Sequence, residues 1–222
     1  PMDPREIAMF ARHGNLVTRA QARGGGLPDI SIDEAVRRGR WVAVRRGVYA
    51  LSAFWEQLDP HGVALHQARA ASAAMTRPHA MSHDSAALEH GLAFWTPSPS
   101  LVHVTRPDVR GTRTEHGVKH HLAPYPSWAL VHVGGRPVLN AARTAVDLAR
   151  EHGVPTGITA CDSALRAGVT RRELEAVVAA MRCWPHVTWA REAVDLADAG
   201  AENLAESLAR ILVLELGIGR PE

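Results

Sequence analysis

Residues 36–51 read VRRGRWVAVRRGVYAL, and this stretch decides the fold of the N-terminal part of the chain. Two β-prone runs, residues 41–44 and 48–51, flank an Arg-Arg-Gly tip in which Gly47 can adopt a positive φ. The pattern predicts a β-hairpin. We expect Trp41, Val44 and Tyr49 to pack as core beneath the hairpin rather than to stack on nucleic-acid bases.

Three short helices are predicted before this hairpin. Asp3 can cap the first helix and Thr18 can cap the second. Ser31 and Glu34 have the spacing of a capping box, which predicts a third helix ending near Gly39. This order of elements is typical of a winged helix-turn-helix, in which the third helix enters the major groove and the hairpin contacts the DNA backbone or the minor groove.

Arginines concentrate at the end of the third helix and at the hairpin tip. Five of them, and no acid, lie between Val36 and Gly47. The arginine fork can grip phosphate or pair with O6 and N7 of guanine, so we expect the five guanidinium groups to converge on one surface shaped to meet a duplex. The alternative is a purely structural role, in which the arginines lie on a solvated helix face and the hairpin only packs as a small sheet. The predicted DNA-binding residues are Thr18, Arg19, Arg23, Ser31, Arg37, Arg38, Arg40, Arg45 and Arg46. Asp33 and Glu34 count slightly against this interpretation, because acids near the helix start would repel phosphate.

The composition is that of a globular protein, with 46% hydrophobic and 22% charged residues among 222. The formal net charge is only +2, but residues 1–55 carry nine arginines against five acids, whereas residues 186–222 carry three against seven. A basic N-terminal part indicates an anionic partner, most commonly nucleic acid. No apolar run is long enough to span a membrane, no signal peptide is recognisable, and two cysteines make no disulfide framework, so we expect a cytoplasmic protein.

The elements predict an α+β protein in three parts: a winged helix-turn-helix at residues 1–55, a mixed α/β domain at 56–153 and a helical segment at 154–222. Helices are expected at residues 61–75, at 83–90 after a Ser82 cap, at 137–150 and through most of the remainder. Strands are expected at residues 101–105, 118–122 and 129–133. A secondary basic strip in the middle domain comprises Arg106, Arg110, Arg113 and Lys119.

No catalytic or cofactor motif is found. Ser82, His83 and Asp84 are triad residue types, but neighbours on a helix point about 100° apart and cannot form a relay. The chain has 13 histidines, yet no His-Glu-x-x-His, no paired cysteines and no clear third ligand for His79 and His83. We therefore expect surface and capping histidines, no cofactor and no bound metal. Zinc lost on the substitution His83→Ala would contradict that view.

Six segments, taken in order, resemble one known family. They are residues 17–22 (VTRAQA), 39–41 (GRW), 44–51 (VRRGVYAL), 82–92 (SHDSAALEHGL), 102–107 (VHVTRP) and 142–149 (ARTAVDLA). The set is similar to the AbiEi-like antitoxins of type IV toxin–antitoxin systems, in the form common in GC-rich bacteria, and it covers most of residues 5–150.

The resemblance implies a winged helix that binds inverted-repeat DNA at the protein's own promoter and represses the operon, with a possible homodimer on the DNA. It also implies a middle domain that counteracts a nucleotidyltransferase-like toxin without forming a stable complex. Many proteins of this form continue into a restriction-endonuclease-like domain, and residues 201–210 resemble its lead-in helix. No Asp…Glu-x-Lys pair follows within the 222 residues, so we expect no enzymatic activity.

Two alternatives remain open. The chain could be the DNA-targeting portion of a nuclease, which an Asp and a Glu-x-Lys encoded immediately downstream would favour. It could instead be an interaction module whose middle domain binds a protein toxin while the hairpin only packs, which stable co-purification would favour.

Overall fold

Three helices and a β-hairpin form the N-terminal part of the computed structural model, which describes residues 3–96 and 101–217. The two strands of the hairpin are joined by a third, so that the sheet order is β1-β3-β2 with antiparallel pairing. The predicted winged helix-turn-helix is confirmed. Its elements are α1 (Pro4–Arg12), β1 (Val17–Thr18), α2 (Arg19–Gly24), α3 (Asp29–Arg37), β2 (Trp41–Arg45) and β3 (Val48–Leu51).

Local signals account for most of these boundaries. The Asp3 carboxylate accepts from the Arg5 amide and caps α1, and Thr18 forms a capping box with Gln21 at the start of α2. Gly47 has φ +75° at the hairpin tip, a conformation that glycine adopts without steric cost.

The capping box predicted at Ser31 and Glu34 is wrong. Helix α3 begins three residues earlier, at Asp29, and its N-cap residue Pro28 makes no side-chain cap bond. Because the proline ring fixes φ near the value that a helix entry needs, Pro28 can start the helix without a capping hydroxyl. Ser31 is consequently half-buried inside the first turn and does not precede the helix.

The β2–β3 hairpin (Trp41–Leu51) is the wing, and its aromatic residues lie in the core of the N-terminal part. Trp41 is 2% exposed, lies edge-on against Phe10 and donates from Nε1 to a Glu6 carboxylate oxygen at 3.1 Å. Tyr49 is buried beside it, whereas Val44 is half-buried and faces a neighbouring apolar cluster. The expectation of core packing is therefore confirmed for Trp41 and Tyr49, whereas Val44 packs only partly buried, against the cluster that contains Val48 and Ala70.

A six-stranded mixed sheet organises the middle of the chain, in the order β6-β7-β5-β4-β9-β8. Strand β5 runs parallel to β7, and β4 runs parallel to β9; the other neighbouring pairs are antiparallel. The elements are α4 (Ser52–Trp55), α5 (Pro60–Ala74), β4 (Ala80–Met81), α6 (His83–His90), β5 (Val102–Arg106), β6 (Arg113–Glu115), β7 (Val118–Leu122), a 3₁₀ helix (Ser127–Ala129), β8 (Leu130–Val133) and β9 (Arg136–Leu139).

The two faces of this sheet differ in chemistry. One face carries an apolar cluster, in which Val102, Val104 and Val118 pack with Ala68 and Ala71 of α5. Because side chains alternate along a strand, His103, Thr105, Lys119 and His121 belong to the opposite face. Helix α5 also packs against the wing, where Ala70 joins a cluster with Val48 and Ala50.

Helices make up the C-terminal part, packed on one large apolar cluster. No helix in the described ranges is both long enough and apolar enough to cross a bilayer. The helices are α7 (Ala141–His152), α8 (Val154–Arg166), α9 (Arg171–Ala180), α10 (Val187–Leu196) and α11 (Leu204–Glu215).

The helix predicted at residues 137–150 is wrong in its first four residues. Arg136–Leu139 form strand β9, held between β4 and β8. Asn140 accepts from the Arg143 amide as an N-cap, so α7 starts only at Ala141. β8 and β9 form a hairpin across Gly134 and Gly135, both at positive φ, so the Gly-Gly turn was a local sign of a second strand. Only the pairing with β4 joins β9 to a segment distant in sequence.

Candidate nucleic-acid interface and a buried histidine cluster

A cleft lies between α3 and the wing, and basic side chains line it. Arg37 comes from the last turn of α3, Arg46 from the hairpin tip and Arg19 from the start of α2. Arg37 and Arg46 are exposed and form no ion pair with any residue in the ranges 3–96 and 101–217. Their guanidinium groups are therefore available to a ligand in the cleft.

Two acidic residues of α3, Asp29 and Asp33, are neutralised by Arg19 of α2. Arg19 Nη1 lies 3.0 Å from Asp29 and its Nη2 lies 2.6 Å from Asp33, while Nε donates to the Tyr49 hydroxyl. Hydrogen bonds to Asp33 and Asp29 raise the pKa of Arg19. Arg19 thus offsets the repulsion that Asp29 and Asp33 would exert on a phosphate near α3. Because its guanidinium group is already paired with these two acids, Arg19 is less available to bind phosphate itself.

The five arginines of the predicted cluster do not converge on one surface. Arg38 pairs with Glu34 one turn earlier on α3, and Arg40 lies 3.8 Å from the Glu6 carboxylate. Arg23 is exposed and 3.9 Å from Asp29. Only Arg37 and Arg46 of the five line the cleft, so the expectation of full convergence is wrong.

Arg45 contacts the middle domain. Its Nη1 donates to the His116 carbonyl at 3.1 Å, and burial lowers its pKa. Its buried Nε has no hydrogen-bond partner among residues 3–96 and 101–217. The register of β2 shifts between Ala43 and Arg45, and such a bulge re-orients the side chain that follows it. No residue pattern around Arg45 predicts this bulge.

The secondary basic strip is divided between the two faces of the large sheet. Arg106 pairs with Asp108 and Arg113 with Glu115, both on the face of the sheet that carries Val104, and Arg110 is exposed. Burial is the largest cause that lowers the pKa of His120, and the positive charges of Arg106, Arg113 and Arg45 lower it further. Lys119 lies on the opposite face and pairs with Glu151 of α7.

Three histidines meet on that opposite face. His103 Nδ1 lies 3.0 Å from His121 Nε2, and the His83 ring stacks on the His121 ring with 3.8 Å between centroids. One nitrogen from each ring lies within 4.8 Å of the others. All three side chains are buried, so the interpretation of these residues as surface and capping histidines is wrong, and His83 does have two partner imidazoles.

His83 enters this cluster from the first residue of α6. Its φ is +49°, a left-handed conformation that is unusual for a residue with a side chain. Ser82 occupies the N-cap position as predicted, but its hydroxyl makes no cap bond and lies 3.0 Å from His83 Nδ1. The neighbouring Asp84 is buried and binds His152 Nε2 at 2.7 Å, leaving its second oxygen without a partner.

A cleft opens beside the cluster, with His83 and His121 in its lining. Lys119, Arg143 and Arg150 also line it, each paired with a carboxylate of α7. The alternation of β5 and β7 indicated which residues share a face, but the parallel pairing that aligns Thr105 with His121 could not be read from the sequence.

Comparison with known proteins adds family and fold information. Residues 5–52 match the family model described as "Transcriptional regulator, AbiEi antitoxin". Two proteins of Mycobacterium tuberculosis, the uncharacterized proteins MT2308 and Rv2248, are 33% identical over 130 residues, which is 58% of this chain and 47% of each relative. The chain spans about half the length of these curated relatives.

A solved structure supports the fold beyond the matched segment. The crystal structure of the RV2827C protein from Mycobacterium tuberculosis superposes with a TM-score of 0.50 at 19% identity, over 92% of this chain and 80% of that one. At this identity the likeness concerns the fold alone. The family match and the winged helix occupy the same residues, so the N-terminal part of this chain is similar to the transcriptional-regulator domain of the AbiEi antitoxins.

Proposed function

We propose that this chain is a DNA-binding antitoxin that represses its own type IV toxin–antitoxin operon. Its DNA partner is an inverted repeat in the promoter, bound by two copies of the chain, and it acts in the cytoplasm without catalytic activity of its own. A nucleotidyltransferase-like toxin is counteracted functionally rather than in a stable complex. The observation that carries the DNA-binding part is the cleft between α3 and the wing, lined by Arg19, Arg37 and Arg46.

Helix α3 supplies the base-reading surface in this proposal. Ile32 and Ala35 are its buried residues, and a helical period of 3.6 puts Ile30 and Arg37 on the opposite, exposed side. In a helix-turn-helix the N-terminal part of the recognition helix contacts base edges, and Ile30 lies in that part of α3. Arg37 lies at the other end of the same exposed side and reaches the groove only through the length of its side chain. Arg37 can pair with guanine, and the wing residue Arg46 can hold the flanking phosphates.

Arg37→Ala should weaken operator binding by about 1–3 kcal/mol and relax sequence choice.

A mobility-shift assay on the protein's own upstream region, titrated with salt, tests the proposal. Specific retardation that weakens steeply with salt supports it, and equal affinity for unrelated duplexes at every salt concentration contradicts it.

The wing contributes phosphate contacts, so Arg46→Ala should lower the slope of log affinity against log salt by about 0.9. Arg172→Ala removes the same charge from exposed helix α9 and is the matched control; its slope should equal that of the unaltered chain. Arg45→Ala should change the slope less than Arg46→Ala, because Arg45 is half-buried against His116. Identical slopes for Arg46→Ala and Arg172→Ala would remove the wing from the interface.

Ile30 has a distinct role in this arrangement. It is 77% exposed in the first turn of α3, on the side that faces the major groove. Apolar side chains recognise the C5-methyl group of thymine there. Burying one methyl contributes roughly 0.8 kcal/mol, so replacing the contacted thymine by uracil should weaken binding about fourfold. The Ile30→Ala protein should no longer distinguish the two duplexes; a discrimination that survives in Ile30→Ala assigns the methyl contact elsewhere.

A further inference from the structure

We propose that His83, His103 and His121 form a binding site for one divalent transition-metal ion, of the zinc class, whose fourth ligand position faces the cleft beside them. The proposal concerns the middle part of the chain and is independent of DNA binding by the wing.

The spacing of the imidazole nitrogens carries this inference. His103 Nδ1 and His121 Nε2 are 3.0 Å apart, and one nitrogen of His83 lies within 4.8 Å of both. Two nitrogens bound to tetrahedral zinc at roughly 2.0–2.1 Å are about 3.3 Å apart. The pair on the sheet thus needs to separate by only a few tenths of an ångström. The ring that donates in this hydrogen bond binds the ion as its other tautomer, with the N–H proton on its second nitrogen, so both ligands stay neutral.

His83 completes the set by a movement of its own side chain. A metal lies in the plane of each imidazole that binds it, whereas the rings of His83 and His121 are stacked at an interplanar angle of 14°. The His83 ring therefore turns out of the stack when the ion binds. Its Nδ1 already contacts the Ser82 hydroxyl, which leaves Nε2 as the ligand, the arrangement found where a ligating histidine holds an oxygen with its other nitrogen.

The chemistry of the three donors selects the class of ion. Each of the three histidines offers one imidazole nitrogen, and burial keeps all three rings away from bulk solvent. Neutral nitrogen ligands suit zinc, copper, nickel and cobalt, while magnesium and calcium require oxygen. Asp84 is buried next to His83, and one of its oxygens has no hydrogen-bond partner among the described residues. Its negative charge lowers the electrostatic free energy of a cation bound by the three histidines.

The fourth ligand is expected to be a water, hydroxide or small anion. Two of the three histidines line the cleft, so an ion between them is open to solvent on that side. Lys119, Arg143 and Arg150 line the same cleft with only two carboxylates, Glu151 and Asp147, as their partners, and the excess positive charge favours a negatively charged group opposite the ion. Three protein ligands with one open position are typical of sites where the metal also holds a small molecule.

Titration of the chelator-treated full chain with zinc chloride tests the site. We expect one equivalent bound per chain by calorimetry, a rise in melting temperature, and the visible absorption of four-coordinate Co²⁺ when cobalt replaces zinc. Binding of zinc at much less than one equivalent, or cobalt with the spectrum of a six-coordinate surface ion, overturns the proposal.

A matched pair of variants locates the ion. His121→Gln should weaken zinc binding at least about 100-fold. His120→Gln alters the adjacent residue, which pairs with Val104 and faces the other side of the sheet, and should bind zinc as the unaltered chain does. Equal affinity of these two variants overturns the proposal. Should circular dichroism show His121→Gln to be unfolded, His83→Asn decides, since asparagine tolerates the left-handed backbone there; zinc retained by His83→Asn overturns it.

Discussion

Replacing Asp147 by alanine is expected to lower the free energy of unfolding by about 3–5 kcal/mol. The Asp147 side chain is fully buried and accepts from Arg143 Nε at 2.7 Å and from Arg150 Nη1 at 2.9 Å. Arg143 is itself only 3% exposed, so the substitution leaves a cation in the protein interior without its counter-ion. Both guanidinium groups also lie against the Trp184 ring, whose cation–π contacts are too weak to compensate.

Urea denaturation of the chain and its variant measures this loss. Glu115→Ala is the control, because the Arg113–Glu115 pair is half exposed on both sides and a pair of that kind contributes at most about 1 kcal/mol. Similar losses for Asp147→Ala and Glu115→Ala would mean that the buried ion pairs of α7 do not hold this layer together.

Gly157→Ala is expected to destabilise the helical part by about 3 kcal/mol, the upper end of what one inserted methyl does in a packed core. Helices α7, α8 and α10 meet at this glycine. A Cβ at residue 157 would lie 2.4 Å from the Ala149 Cβ, 2.7 Å from the Ala193 Cβ and 2.9 Å from the Ala149 Cα. The last of these atoms is backbone, so the clash is relieved only by moving one helix away from another.

Adding Ala149→Gly to Gly157→Ala should recover part of the loss, because it removes the nearest of the clashing atoms. The coupling between the two substitutions, measured as a double-mutant cycle of unfolding free energies, is expected to be favourable. Additive effects would show that helix α8 is not in contact with α7 at residue 157.

The winged helix could be predicted from sequence because its signals are local. Asp3 and Thr18 cap helices within three residues of themselves, and Gly47 turns a hairpin whose strands are adjacent in the chain. The strands of the middle sheet could be predicted only in part. β1 and β4 are only two residues long, and each is defined by its pairing with a strand that is distant in sequence. Two residues are too few to form a pattern that predicts a strand.

The candidate sites divide in the same way. Cleft residues Arg37 and Arg46 were predicted from their positions at a helix end and a hairpin tip. Arg45, their neighbour in sequence, contacts the His116 carbonyl across a 71-residue separation, and a bulge of one residue decides its direction. The histidine interpretation failed because it compared His79 with His83 along one helix, whereas the actual partners of His83 come from two strands.

The amino-acid sequence by itself determined the helix–hairpin order of the first 51 residues, the basic character of that part, and the alternation that gives the middle strands one apolar and one polar face. These features depend on backbone preferences and on side-chain periodicity over a few residues, and no other part of the chain is needed to specify them. Tertiary structure alone decided which arginines are free, which carboxylates neutralise the others, and that three histidines meet in one buried layer. Such contacts arise only when segments 18 to 71 residues apart are brought together by burial of their apolar faces. No short segment encodes that geometry.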